Sequence, residues 1–98
     1  MNLGAAIKKI RKNKHLKQKD LALICGITPT YLSQIEGNIK DPNLSVLRTI
    51  STKLEVPLPI LFFLSIDNND IRDDRKELYQ AIVKPLSDII GKTFLTND

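Results

Sequence analysis

Apolar residues recur along this chain at three- and four-residue spacing, in short stretches separated by polar breaks, so the pattern predicts helices throughout. Leu3, Ala6, Ile7 and Ile10 form the first stripe, with Asn2 placed to cap a helix over about 3–13. Leu21, Ala22 and Ile24 mark a second helix over about 17–25. Gly26 ends it, because glycine enters the positive-φ region without a Cβ penalty. Thr28 can accept from an orphan backbone N–H and Pro29 lacks a donor that would be unpaired anyway, so a third helix starts there and runs to about 37. Its inward stripe is Leu32 and Ile35. After the loop 38–42, Asn43 can cap a fourth helix whose Leu44, Leu47, Ile50 and Leu54 pack on those before it. A fifth, short and heavily apolar, covers about 58–64.

Beyond the polar link SIDNND the pattern changes. Ile71, Leu78, Ile82, Leu86 and Ile89, with Val83 and Ile90 alongside, predict an amphipathic helical tail. Pro85 should kink or split it near 83–84, since an interior proline removes one backbone bond and crowds the preceding turn, at about 3 kcal/mol.

Residues 18–36, QKDLALICGITPTYLSQIE, therefore read as two helices meeting across a tight turn. Ala22 has almost no side chain and lets the second helix cross closely, while Thr30, Tyr31, Ser33 and Gln34 form a polar outer surface near the start of that helix. With Gln18, Ala22, Gly26, Leu32 and Ile35 in register, and with Arg11 before, Glu36 closing, and Pro42, Asn43 and Leu44 after, roughly residues 3–64 resemble the Cro/C1-type (XRE-like) helix-turn-helix family of DNA-binding transcriptional regulators. Two positions depart from that pattern. Asn38 stands where glycine is usual, and can still adopt the left-handed conformation; Pro57 stands where a capping serine is common.

The resemblance implies an all-α fold: a five-helix lambda-repressor-like DNA-binding domain over 1–66, with a C-terminal amphipathic helical extension over 67–98. It also implies roles. Gln18 would clamp a phosphate; Thr30 and Gln34, with Ser33, would meet base edges in the major groove; Tyr31 would touch sugar, methyl or phosphate groups; Thr28 would cap and touch phosphate. Asn38 and Lys40 would lie along the backbone. Arg11 and Glu36 would form a structural ion pair, with Ala22 and Gly26 as the small residues of the turn.

Charge supports that reading. Residues 1–64 carry ten bases against four acids, a net of +6, and seven of the ten lie between Lys8 and Lys19. Residues 65–98 carry five bases against seven acids, a net of −2. Clustered cations of this kind suit a polyanion. The longest apolar run, from Ile60 to Leu64, is far short of the roughly 20 residues a membrane span needs, so no membrane role is expected. The single cysteine, Cys25, allows no internal disulfide, fits a reducing cytoplasm, and reads as a small apolar residue rather than a redox sensor. His15 has no neighbouring ligand, so no metal and no cofactor are expected. Nothing resembles a catalytic set, and the chain is not expected to be an enzyme.

The functional expectation is sequence-specific binding of double-stranded DNA by a transcriptional regulator, a repressor, that reads an inverted-repeat operator as a homodimer. The alternative is an antitoxin or co-regulator that docks a protein partner through 67–95. The apolar stripe of the tail can serve either a second copy or the chain's own DNA-binding unit.

Overall fold

The structure is a computed structural model and describes residues 1–95; the last three residues of the expected extension, 96–98, lie outside them. Six α-helices follow one another: α1 (Leu3–Asn13), α2 (Gln18–Cys25), α3 (Pro29–Glu36), α4 (Leu44–Lys53), α5 (Leu58–Ser65) and α6 (Lys76–Ile90). No strand occurs among the described residues.

Local chemistry places the boundaries. Asn2 accepts from the Ala5 N–H at 3.0 Å, Thr28 from Tyr31 at 3.0 Å, and Asn43 from Val46 at 2.9 Å, so three helices start on the side-chain caps their sequences offer. α5 has none. Pro57 precedes it, Pro59 lies in its first turn, and the Pro57 carbonyl receives the Ile60 and Leu61 N–H groups. Pro59 has no N–H to leave orphaned, so a side-chain cap has less to satisfy.

Four helices end in the same way. At the cap (Gly26, 71°) or just after it (His15 58°, Asn38 57°, Glu55 59°) one residue adopts positive φ, and the next N–H returns to a carbonyl in the last turn: Leu16 to Arg11, Ile27 to Ala22, Ile39 to Gln34, Val56 to Ser51. Leu16, Ile27 and Val56 then tuck against the core. Ile39 does not; it is exposed.

Each of α1–α5 contributes to one core. Ile7, Ile10, Leu21, Ala22, Leu32, Ile35, Ile50, Leu54 and Leu61 are buried, each large aliphatic side chain contributing about 1.5–3 kcal/mol relative to an exposed position. Two expected core positions are corrected. Ile24 is exposed because Leu21, Ala22 and Cys25 make the inward face of so short a helix. Leu44 is exposed too, since as the first residue of α4 it projects past the neighbouring helices while Val46 packs inward.

The tail also differs from expectation. Two single 3₁₀ turns, Asn68–Asp70 and Asp73–Arg75, lead into α6, which passes through Pro85 unbroken and continues into a wider π-type turn, Gly91–Leu95. Proline removes the donor for the Ala81 carbonyl, but both residues are exposed, so water can take that bond. α6 is two-faced. Tyr79, Val83 and Ser87 turn toward α1 and α5, Ile90 is buried, and Phe94 and Leu95 pack on the core, while Leu78, Ile82, Leu86 and Ile89 stay 57%, 49%, 40% and 60% exposed. The single stripe expected from sequence is thus the outward face, and the docked face lies beside it.

Candidate nucleic-acid interface

The turn between α2 and α3 is tight because Gly26 reverses the chain in the left-handed region and Ala22, fully buried, lets α3 pack close. Thr28 and Pro29 then fix where α3 begins, which decides which of its side chains look outward.

That first turn is exposed. Gln18, Pro29, Thr30, Ser33 and Gln34 line one shallow cleft, bringing the start of α2 beside the start of α3. Thr30 and Ser33 are exposed, Gln18, Gln34 and Tyr31 half-buried, and Leu32 and Ile35 on the opposite side are buried. Thr28 is exposed while its hydroxyl oxygen caps the helix. The cleft therefore has a polar floor on an apolar anchor.

A buried network holds it rigid. Arg11 donates from Nε to Glu36 Oε2 at 2.8 Å and from Nη2 to Oε1 at 3.0 Å, a two-pronged pair with side chains only 9% and 2% exposed. Its Nη1 donates to the Leu16 carbonyl at 2.9 Å, and Gln18 Nε2 donates to Glu36 Oε1 at 3.1 Å. One carboxylate at the end of α3 thereby ties α1, the loop after it and the start of α2 together. No buried side-chain polar atom among the described residues lacks a partner. Gln18 thus has a structural bond that sequence did not foresee, and it keeps a second amide hydrogen and a carbonyl oxygen for the cleft.

At the far end of α3 lies a second clasp. Asn38 Oδ1 accepts from the Gly4 N–H at 3.1 Å, and its Nδ2 donates to Asn2 Oδ1 at 2.6 Å. Gly4 has to be glycine: a Cβ there would run into the Ile35 and Glu36 carbonyls and Asn38 Oδ1. Asn38 is exposed, but its side chain already serves α1. Sequence reasoning missed Gly4, although a glycine in the first turn of a good helix is the available signal. Lys40 is exposed in the loop beyond.

Lys8, Lys9, Lys12, Lys17, Lys19 and Lys40 are exposed, and among the described residues none forms an ion pair. The acids of the link behave differently: Asp70 and Asp67 hold the terminal ammonium of Met1 at 2.7 and 3.4 Å. The Asp70 carboxyl is lowered chiefly by the Asp67 backbone N–H, and the ammonium is raised chiefly by its bond to Asp70. Cys25 is half-buried, and burial pushes its thiol up. No group of three or more His, Cys, Asp or Glu among the described residues is placed to hold a metal ion, and no described helix is long and apolar enough to cross a membrane.

Comparison with known proteins agrees with this geometry. The family described as helix-turn-helix matches residues 7–61. The ImmF control region 10 kDa protein of Bacillus phage phi105 is 42% identical over 59 residues, which are 60% of this chain and 66% of that protein; the chain thus spans slightly less than two thirds of that relative. Among solved structures, SinR, the master regulator for biofilm formation, in complex with DNA, is 34% identical with a TM-score of 0.58, over 61% of this chain and 97% of that one. The SinR/SinI protein complex aligns at 27% identity and a TM-score of 0.61, over 85% of this chain and 80% of that one.

Proposed function

The chain belongs to the helix-turn-helix family, and from that footing we propose that it is a sequence-specific binder of double-stranded DNA that regulates transcription, as a repressor, in the cytoplasm. The observation that carries this reading is the exposed cleft where Gln18, Thr30, Ser33 and Gln34 converge on a rigid anchor. In the proposed complex the first turn of α3 enters the major groove, and Thr30, Ser33 and Gln34 meet base edges there. Tyr31, Thr28, Gln18, Asn38 and Lys40 position the backbone around it. The likeness to a protein solved with DNA supports the assignment.

Residues 1–66 act in this reading as the DNA-binding unit and 67–98 as the extension that assembles it. One five-helix unit reads few base pairs, so a homodimer would read two half-sites about one helical turn apart, as an inverted repeat. Selecting bound fragments from random duplex DNA with the full chain tests this. A two-fold symmetric motif is the expected result; retention without any enriched sequence overturns it.

A second reading keeps the DNA-binding unit and gives the exposed face of α6 a different protein as partner, as in an antitoxin or co-regulator. The unpaired row Leu78, Ile82, Leu86 and Ile89 favours it, as does the likeness to a two-protein complex. Co-purification of a second small protein in stoichiometric amount, from the native source, would replace the homodimer.

A further inference from the structure

Where α6 lies over α1 and α5, the seam is not filled. A partly open cavity of about 230 Å³ remains, its lining including the apolar Ile10, Phe63 and Val83 and the polar groups of Lys9, Tyr79 and Ser87. Protein interiors leave few voids larger than a water molecule, and the core just beneath obeys that rule, with Ile7, Leu21, Leu32 and Leu61 fully enclosed. The void has a cause in the sequence. α6 keeps Leu78, Ile82, Leu86 and Ile89 outward; beside the buried Ile90, it sets Tyr79 and the small Val83 and Ser87 over this part of the body.

The polar groups of the lining are uncommitted. Among the described residues the Lys9 ammonium forms no ion pair, and neither the Tyr79 nor the Ser87 hydroxyl forms a hydrogen bond. Small-molecule sites have this composition, an apolar wall with a few convergent polar groups. An apolar cavity of about 150 Å³ takes up benzene, so this one admits a single ring with a substituent. Phe63 and Tyr79 make part of the wall aromatic, and among the described residues Lys9 is the one charged side chain of the lining.

We propose that this seam is a binding site for a small aromatic monocarboxylate. The site lies apart from the cleft of α3 and stands whether or not that cleft reads DNA. Because the ligand would touch both α6 and the body, its binding would be linked to how the tail docks.

The test is a two-dimensional amide NMR titration of the full chain with phenylacetate, and with benzyl alcohol as its uncharged counterpart. Expected is saturable binding of phenylacetate, with shifts centred on Ile10, Val83 and Ser87. Lys9→Met should weaken phenylacetate about two- to fivefold, the size of an exposed ion pair, and leave benzyl alcohol unchanged. Val83→Trp, which fills the cavity, should abolish binding of both. If that variant fails to fold, Ser87→Leu serves, narrowing the mouth with a smaller change. Shifts that never saturate, or binding that persists in the folded cavity-filled variant, overturn the proposal.

Discussion

Glu36 ends α3 with its carboxylate enclosed, answered by Arg11 from one side and Gln18 from the other. Removing one partner of such a pair leaves an uncompensated buried charge, so Glu36→Ala should cost about 3–5 kcal/mol, read as a fall in the urea midpoint. Arg11→Lys should also destabilise, because an ammonium cannot reproduce the planar fork that meets both carboxylate oxygens and the Leu16 carbonyl. A loss no larger than that of an exposed pair would mean the network does not brace the turn. At the cleft itself, Gln34→Ala should change discrimination at one base position by about 1–3 kcal/mol, while Lys40→Ala should weaken all sequences alike and reduce the salt slope by about 1. Binding titrations over several salt concentrations separate the two, and equal loss on specific and random DNA for Gln34→Ala would remove its base-reading role. Of the cleft, Thr30, Ser33 and Gln34 were legible in the sequence because they sit on one helix whose phase Thr28 and Pro29 announce, whereas Gln18 on α2 joined them only through family resemblance. The Arg11–Glu36 pair joins positions 25 apart and was visible only through family resemblance. The Gly4–Asn38 clasp, spanning 34, was not visible at all, because no local rule links a first-turn glycine to a loop that distant.

The helices themselves were legible for the same reason of locality: caps, prolines and three-to-four spacing act within a turn or two of where they stand. The left-handed residues closing α1, α2, α3 and α4 show how far such rules reach. Gly26 was expected there, and Asn38 could be argued, yet His15, with only a modest tendency to positive φ, and Glu55, with none, adopt it because Leu16 and Val56 must turn back onto the core. A side chain in that region costs about 1–2 kcal/mol, against about 0.5–1 kcal/mol of extra chain entropy for glycine. His15→Gly and Glu55→Gly should therefore each stabilise the fold by roughly 0.5–1 kcal/mol. Asn38→Gly should not, since it also removes the bonds to Gly4 and Asn2. Thermal unfolding of the three variants checks the ordering; a stabilised Asn38→Gly beside unchanged His15→Gly and Glu55→Gly would reverse the explanation. The α6 helix was read less well. Whether a proline splits a helix depends on whether water reaches the freed carbonyl, and which apolar row docks depends on the surface opposite, and neither is written into α6 alone.

For the molecule as a whole, unpaired lysines gather on the body, where Leu23, Ile24, Ile39 and Leu44 are also exposed, while on α6 four exposed aliphatic side chains make one row in a segment of net negative charge. A tail that had only to shield the body would not keep four large aliphatic side chains in water, and a soluble protein rarely leaves such a row uncovered. A second copy placed along it would set two α3 helices at a fixed separation, turning two weak half-site contacts into one strong one through effective concentration. The double variant Ile82→Glu/Leu86→Glu puts charge in the middle of the row without touching the docked face, so α6 should stay helical and the body folded. Sedimentation equilibrium should then find the variant monomeric where the parent chain is dimeric. Affinity for an inverted repeat should fall by about 10²–10⁴, while affinity for a single half-site should not change. If the parent chain is itself monomeric at every concentration tested, the row is not a homodimer contact and the two-protein reading takes its place. If the variant remains a dimer, the contact lies elsewhere on the body, and the spacing of half-sites has to be explained from that surface instead.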